Sequence, residues 1–195
     1  MRKLLLITGD IAAGKSTFSR ILARRCGVPA FQKDAIKEVL GDFIGFQNRK
    51  ENKRLSATTI GLMDHIFEQF AAIGGDLILE ANFHEEELAR LHQMAEENNY
   101  EVLALVLRGD ADVLYQRYMN RALNENRHSV HLSTTMNVKE DFLRVTAYLR
   151  SEKVAGNAIE VNAADFSYQT DERLLEHMDS FFMQQNKEKG RKRYG

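Results

Sequence analysis

An α/β fold of three layers, with a five-stranded parallel sheet between two layers of helices, is predicted by three observations. Five short, mainly apolar runs, at residues 3–8, 30–31, 77–79, 101–107 and 158–162, alternate with segments whose apolar residues recur every three or four positions. Continuous apolar runs mark strands covered on both faces, and strict alternation with helices calls for parallel pairing through crossover connections. The first run also passes without a gap into Gly9-Asp10-Ile11-Ala12-Ala13-Gly14-Lys15-Ser16, a strand, glycine loop and helix start in sequence.

The chain has 195 residues, which suits one domain. That domain is expected over residues 1–185, with a small helical lid at approximately 117–140 and a basic, disordered tail at 186–195. A formal net charge of −1 gives no global field of the kind that draws nucleic acid or a membrane surface. No apolar run is long enough to span a bilayer, and the opening Met1-Arg2-Lys3-Leu4 leads into a core strand instead of a signal peptide, so a cytoplasmic location is expected.

A polyphosphate needs many N–H donors converging on it with no side chain in the way. Gly9 and Gly14 leave that room, and the amides of Asp10, Ile11, Ala12 and Ala13 can turn inward as an anion nest. The helix opening near Lys15, Ser16 and Thr17 directs its free N–H groups and positive dipole end to the same point. Lys15 is expected at the β- and γ-phosphates, and the Ser16 hydroxyl on a Mg²⁺ bridging them. A simple glycine turn would account for Gly9 and Gly14 but not for the unbroken Lys15-Ser16-Thr17.

Phe18, Ile21, Leu22 and Cys26 then share a helix face, which Gly27 and Pro29 end. The single cysteine lies on that face and reads as core. Asp34 follows Ala30-Phe31 at a strand-to-helix junction; position alone makes it either the cap of the next helix or a carboxylate beside the phosphate loop. Ile36, Val39, Leu40, Phe43 and Ile44 continue as a helical apolar face, and residues 41–52 read as a polar loop. Arg49, Lys50, Lys53 and Arg54 come just before a helix expected over 56–73; they form either an anion-facing cluster or a solvated face.

Leu77-Ile78-Leu79 ends in Glu80, the place from which a strand-end carboxylate holds Mg²⁺. Asn82 either contacts substrate or turns the chain. Glu85 to Glu87 open a helix with Leu88, Leu91 and Ala95 facing inward and His92 at the surface. Arg108-Gly109-Asp110 reads as a turn capped by Asp110 or Asp112, not as an adhesion tripeptide. The next helix, with Val113, Leu114 and Tyr118 on one side, sets Arg117 and Arg121 four residues apart on one face. Arg127, His128 and His131 follow before helical spacing resumes at Val138, Phe142, Val145 and Leu149. That pattern predicts a cationic lid able to bring guanidinium groups onto a phosphoryl group and exclude water; the alternative is an exposed basic hairpin. No metal set is assigned to His128 and His131. After the last strand, residues 163–168 occupy the place of an adenine site. A final amphipathic helix from about Asp171 buries Leu174, Leu175, Met178, Phe181 and Phe182.

With these residues placed, the chain resembles the small phosphate-loop kinases, AAA-type proteins related to adenylate kinase, and within them the zeta-toxin, chloramphenicol phosphotransferase and polynucleotide 5′-kinase branch. The likeness covers roughly residues 1–165 and is most specific in the phosphate loop. It implies a P-loop NTPase fold that uses ATP and Mg²⁺. It also implies that Asp34, in Gln32-Lys33-Asp34-Ala35-Ile36-Lys37-Glu38, is the base that orients and deprotonates an acceptor hydroxyl. Arg117 is similar to the family arginine that stacks on adenine, and Arg121 to the one that binds phosphates. Arg127 to His131 is similar to an arginine-and-histidine lid tip. Glu80 stands where relatives usually carry Asp, so a water-mediated metal contact is expected. Ala12-Ala13 replaces the usual serine or glycine.

The resulting expectation is ATP-dependent transfer of a γ-phosphoryl group to the hydroxyl of a small molecule or a polynucleotide 5′ end. Lys15, Asp34, Arg121 and Arg127 would be catalytic, and ATP and a hydroxyl-bearing small molecule would be the partners. Nucleic acid is the less favoured acceptor, and no membrane is involved. Two rivals stand beside this reading. A nucleoside monophosphate kinase would call for several arginines in residues 41–56, where Arg49 and Arg54 occur. An ATP-dependent regulatory protein without transfer would have no use for Asp34.

Overall fold

The computed structural model describes residues 1–124, 127–132, 136 and 138–183. The expected tail and parts of the expected lid therefore lie outside the described residues. Strands β1 (Arg2–Gly9), β2 (Ala30–Gln32), β3 (Leu77–Glu80), β4 (Tyr100–Arg108) and β5 (Ala158–Asn162) form one sheet in the order β2-β3-β1-β4-β5. Every pairing is parallel. The helices are α1 (Lys15–Cys26), α2 (Lys33–Ile44), α3 (Arg49–Ile73), α4 (Glu85–Glu97), α5 (Ala111–Asn124), α6 (Ser129–Leu132), α7 (Lys139–Ser151) and α8 (Glu172–Met183).

Side chains of a strand alternate between faces, and β1 shows how that divides the core. Leu5 and Ile7 join Phe18, Leu22, Leu114, Phe142, Met178 and Phe182, a core under α1, α5, α7 and α8. Leu4 and Leu6 join Ile60, Met63, Phe67, Leu88 and Leu91, a second core under α3 and α4. The three layers follow directly. Among the described residues, no helix is long and apolar enough to cross a membrane.

Helix ends are set by local chemistry. Gly27 and Gly74 adopt positive φ and close α1 and α3. Asp110 accepts from the amides of Asp112 and Val113, so it, and not Asp112, caps α5. Asp171 does the same for α8 through Arg173 and Leu174.

Several expectations need correction. Residues 41–52 are not one loop: α2 runs through Ile44, α3 starts at Arg49, and only residues 45–48 lie between them. The overlooked signal was a cap, because Asn48 accepts from the Glu51 amide at 3.0 Å while Glu51 accepts from the Asn48 side chain and the Gln47 amide. Arg49, Lys50, Lys53 and Arg54 thus sit in the opening turns of α3, all exposed. The apolar face expected on α2 is largely solvent-facing, with Val39, Phe43 and Ile44 exposed, because α2 stands at the edge of the sheet beside the short β2. Val113 is exposed while Leu114 and Tyr118 are buried. His92 is half-buried against Gly156, not on the surface. Lys3 is buried within the strand, paired with Glu101 and lying over the Phe181 ring. Cys26 is half-buried at the rim of the first core, its Sγ 3.7 Å from Asp179 Oδ1.

Candidate active site

Central strand β1 delivers the phosphate loop to the carboxyl end of the sheet, the edge at which open α/β sheets hold ligands. Gly9 has φ 117°, and a Cβ there would stand 2.1 Å from the Leu107 carbonyl oxygen, so no other residue fits. Gly14 has φ 88°, and a Cβ there would meet the Tyr168 hydroxyl at 2.5 Å. Ala12 takes the left-handed conformation at φ 60°, which costs a residue with a Cβ about 1–2 kcal/mol. Successive turns of this kind rotate amides toward one point.

The loop is braced from outside. Asn82 Nδ2 donates to the Gly9 carbonyl at 2.7 Å, and the Tyr168 hydroxyl donates to the Ala13 carbonyl at 2.7 Å. Asp10 donates its amide to the Leu107 carbonyl at 2.8 Å, which turns that N–H away from the nest. Its carboxylate is almost fully buried and receives Arg150 on both oxygens, at 3.1 and 2.6 Å, and the Gly109 amide at 3.1 Å. Asp10 therefore braces the loop from behind, whereas the amides of Ile11, Ala12 and Ala13 form its bend. Arg150 carried no motif in the sequence; it lies 140 residues from Asp10 and is brought there by α7.

Lys15 is buried, its ammonium donating to the carbonyls of Asp10 at 2.6 Å and Gly9 at 3.2 Å. Burial lowers its pKa, and the negative charges of Glu80, Asp34 and Asp10 oppose that effect while Arg121 adds to it. The Ser16 hydroxyl donates to Glu80 Oε2 at 2.9 Å. Glu80 closes β3 opposite Ile7 of β1, and burial raises its pKa against the pull of Lys15 and the Ser16 hydroxyl. Gln32 adds a further brace that sequence reading missed, donating to the Ser16 carbonyl at 2.7 Å and the Ser19 hydroxyl at 2.6 Å. Thr17 is exposed, its amide closing the first turn of α1 on Gly14.

Asp34 is exposed in the first turn of α2, and the N-cap position belongs to Gln32, so Asp34 is not the cap. Its negative charge acts on both Lys15 and Glu80. Arg121 is exposed on α5 with its charge also felt at Lys15. Arg117 donates to the carbonyls of Ala163 at 2.7 Å and Ala164 at 2.6 Å, and its Cζ lies over the Phe166 ring, 4.1 Å from the ring centre. Arg127 lies over Tyr118 on α5, 5.5 Å from the ring centre.

Two oxygen donors, Ser16 Oγ and the buried Glu80 carboxylate, stand side by side, a hard donor pair suited to Mg²⁺. Among the described residues there is no group of three or more His, Cys, Asp or Glu side chains able to hold a metal. The fit is thus to an ion completed by phosphate and water, as Mg²⁺ usually is. An open cleft of about 410 Å³ between α1, β2 and α2 is lined by Arg20, Phe31, Ala35, Ile36 and Val39 among others. Neither Lys15 nor Asp34 lines it.

Comparison with known proteins agrees with this geometry. A family model described as an AAA domain, AAA_33, matches residues 4–145, most of the chain. The chain belongs to this AAA domain family. No curated protein matches its sequence. The AAA domain is similar in structure to a protein of Chloroflexus aurantiacus J-10-fl named a "putative kinase", with 26% identity, 92% of this chain and 98% of that one covered, and a TM-score of 0.80. It is also similar to a sugar kinase from Janibacter sp. HTCC2649, with 17% identity, 92% and 95% covered, and a TM-score of 0.60. A gluconokinase from Sinorhizobium meliloti 1021 matches with 14% identity, both chains fully covered, and a TM-score of 0.57. The last two likenesses show the shared fold alone. The AAA domain is a small phosphate-loop kinase family member with the three-layer parallel-sheet fold.

Proposed function

We propose that this AAA domain is an ATP-dependent kinase that phosphorylates a hydroxyl group of a small molecule. The observation that carries the reading is the position of Asp34: an exposed carboxylate, free of any capping duty, whose charge acts on the phosphate-loop lysine and on Glu80. A carboxylate so placed can accept a proton from an alcohol; a phosphate acceptor has no such proton to give.

In the proposed reaction the acceptor oxygen bonds to the γ-phosphorus as its proton passes to Asp34, and the bond from phosphorus to the β–γ bridging oxygen breaks, its electron pair leaving with ADP. Lys15 leaves its own loop carbonyls for the β- and γ-phosphates, where its charge offsets what develops on the leaving oxygen. Arg121 stabilises the transferring group, and the amides from Ile11 to Ser16 hold the phosphates. Arg117 and Phe166, already stacked, form the wall on which the base rests. Ser16 and Glu80 would hold Mg²⁺, which supplies positive charge to the phosphate oxygens and fixes their orientation. Positioning and charge together account for most of the catalysis in this chemistry.

The test is a transfer screen with γ-labelled ATP and Mg²⁺ over sugars, sugar acids, nucleosides, aminoglycoside-like and phenicol compounds, 5′-hydroxyl RNA and nucleoside monophosphates. Label is expected in an alcohol-bearing small molecule. Label confined to nucleoside monophosphates would contradict the proposal.

A further inference from the structure

Glycine weakens a helix relative to alanine, yet α2 keeps Gly41 in its last turn. Backbone freedom is not the reason, since Gly41 is absent from the glycines with positive φ. Space is the reason: a Cβ on Gly41 would stand 2.2 Å from Val130 Cγ1 and 3.3 Å from His128 Cε1. Val130, in the short α6, is fully buried and β-branched, so its χ1 has little freedom to yield.

Polar contacts ring this apolar plug. The Val130 carbonyl accepts from Asn52 Nδ2 at 2.7 Å and from the buried Lys37 ammonium at 3.5 Å. His128 Nε2 lies 2.9 Å from Asp42 Oδ1, and His131 Nε2 lies 2.8 Å from Glu38 Oε1. Residues 34, 37, 38 and 41 recur at spacings of three and four, so the seat for α6 lies on the same face of α2 that carries Asp34. In chain order α6 follows α5, which carries Arg117 and Arg121.

We infer that Gly41 is a positioning residue of the enzyme: its bare Cα is the notch that admits Val130 and ties the arm carrying Arg121 to the helix presenting Asp34. Phosphate-side arginine and acceptor-side carboxylate are then held at a set separation by this notch together with the polar contacts around it. The catalytic part of this inference rests on the kinase reading above; the seating of α6 does not.

Gly41→Ala tests it, because alanine favours the helix and leaves α2 itself intact. Hydrogen exchange of the 129–132 amides is measured with and without Mg²⁺–ATP, alongside thermal unfolding and calorimetric titration of Mg²⁺–ATP. Expected are a melting temperature lowered by a few degrees at most, an ATP affinity within about threefold, and roughly tenfold or greater loss of protection at 129–132. Adding Val130→Ala should restore protection beyond that of either single variant, since the deleted methyl groups make room for the new one. With the acceptor found in the screen, kcat should fall about tenfold or more while KM for ATP holds. Unchanged protection at 129–132 in Gly41→Ala, or no recovery in the double variant, would overturn the seat. A lost seat with unchanged kcat would overturn the positioning role. The exchange arm decides the seat even if the screen returns no acceptor.

Discussion

Charge at the site is governed residue by residue through burial. Lys15 and Glu80 share one buried pocket, and desolvation pushes each toward its neutral form while each holds the other charged. Cys26 shows burial and a neighbouring charge acting together on chemistry. Burial, with the Asp179 carboxylate beside it, pushes the thiol up to about 11. Because the folded value is raised, the neutral thiol's contribution to stability is full below the ordinary thiol value of 9.0 and is lost as pH climbs toward about 11. Iodoacetamide should therefore label native Cys26 slowly at pH 8 and urea-unfolded protein at least tenfold faster, measured by mass spectrometry. Equal rates in the two states would refute the assignment.

Among the elements, α7 does work that no motif announces. Its Arg150 reaches across the sheet end to Asp10 and also donates to the Gly109 carbonyl at 2.5 Å, joining α7, the β4–α5 turn and the phosphate loop. Asp10 is buried and Arg150 is about one-third exposed, so removing the arginine leaves a buried carboxylate with the Gly109 amide as its remaining partner. Arg150→Gln should cost about 2–4 kcal/mol in urea unfolding, the range for breaking a buried pair, with some discount for the exposed partner. Adding Asp10→Asn should recover a substantial part of that. A cost below about 1 kcal/mol would show that the pair does not brace the loop. Lower nucleotide affinity in Arg150→Gln than in the double variant would tie the brace to Lys15, which leans on the Asp10 carbonyl.

Across the whole molecule, what the sequence made legible was whatever local chemistry decides. Five strands, the helix stops at Gly27 and Gly74, and the phosphate loop at Gly9 to Ser16 all carry signals within a few residues of themselves. Glu80 was legible as well, since a strand-end carboxylate needs only β3 to sit beside β1 to meet Ser16. Misreadings came where a tertiary reason overrode a local one. Gly41 suggested a loop, but it is a helical residue kept small for Val130. The stripe Val39, Phe43, Ile44 suggested burial, but sheet order puts α2 at the edge. Arg150 and Gln32 were invisible because only the fold brings them to the loop.

In the proposed reaction the phosphate loop and Asp34 act on one phosphoryl transfer from opposite sides. Asp34→Asn tests this with little change in shape, the carboxylate being exposed and unneeded as a cap. Mg²⁺–ATP affinity by calorimetry should stay within about threefold of the wild-type value. Phosphoryl transfer to the hydroxyl acceptor should fall by on the order of 10²–10⁴-fold, the usual contribution of a positioned general base. Transfer at the wild-type rate in Asp34→Asn would contradict the central claim.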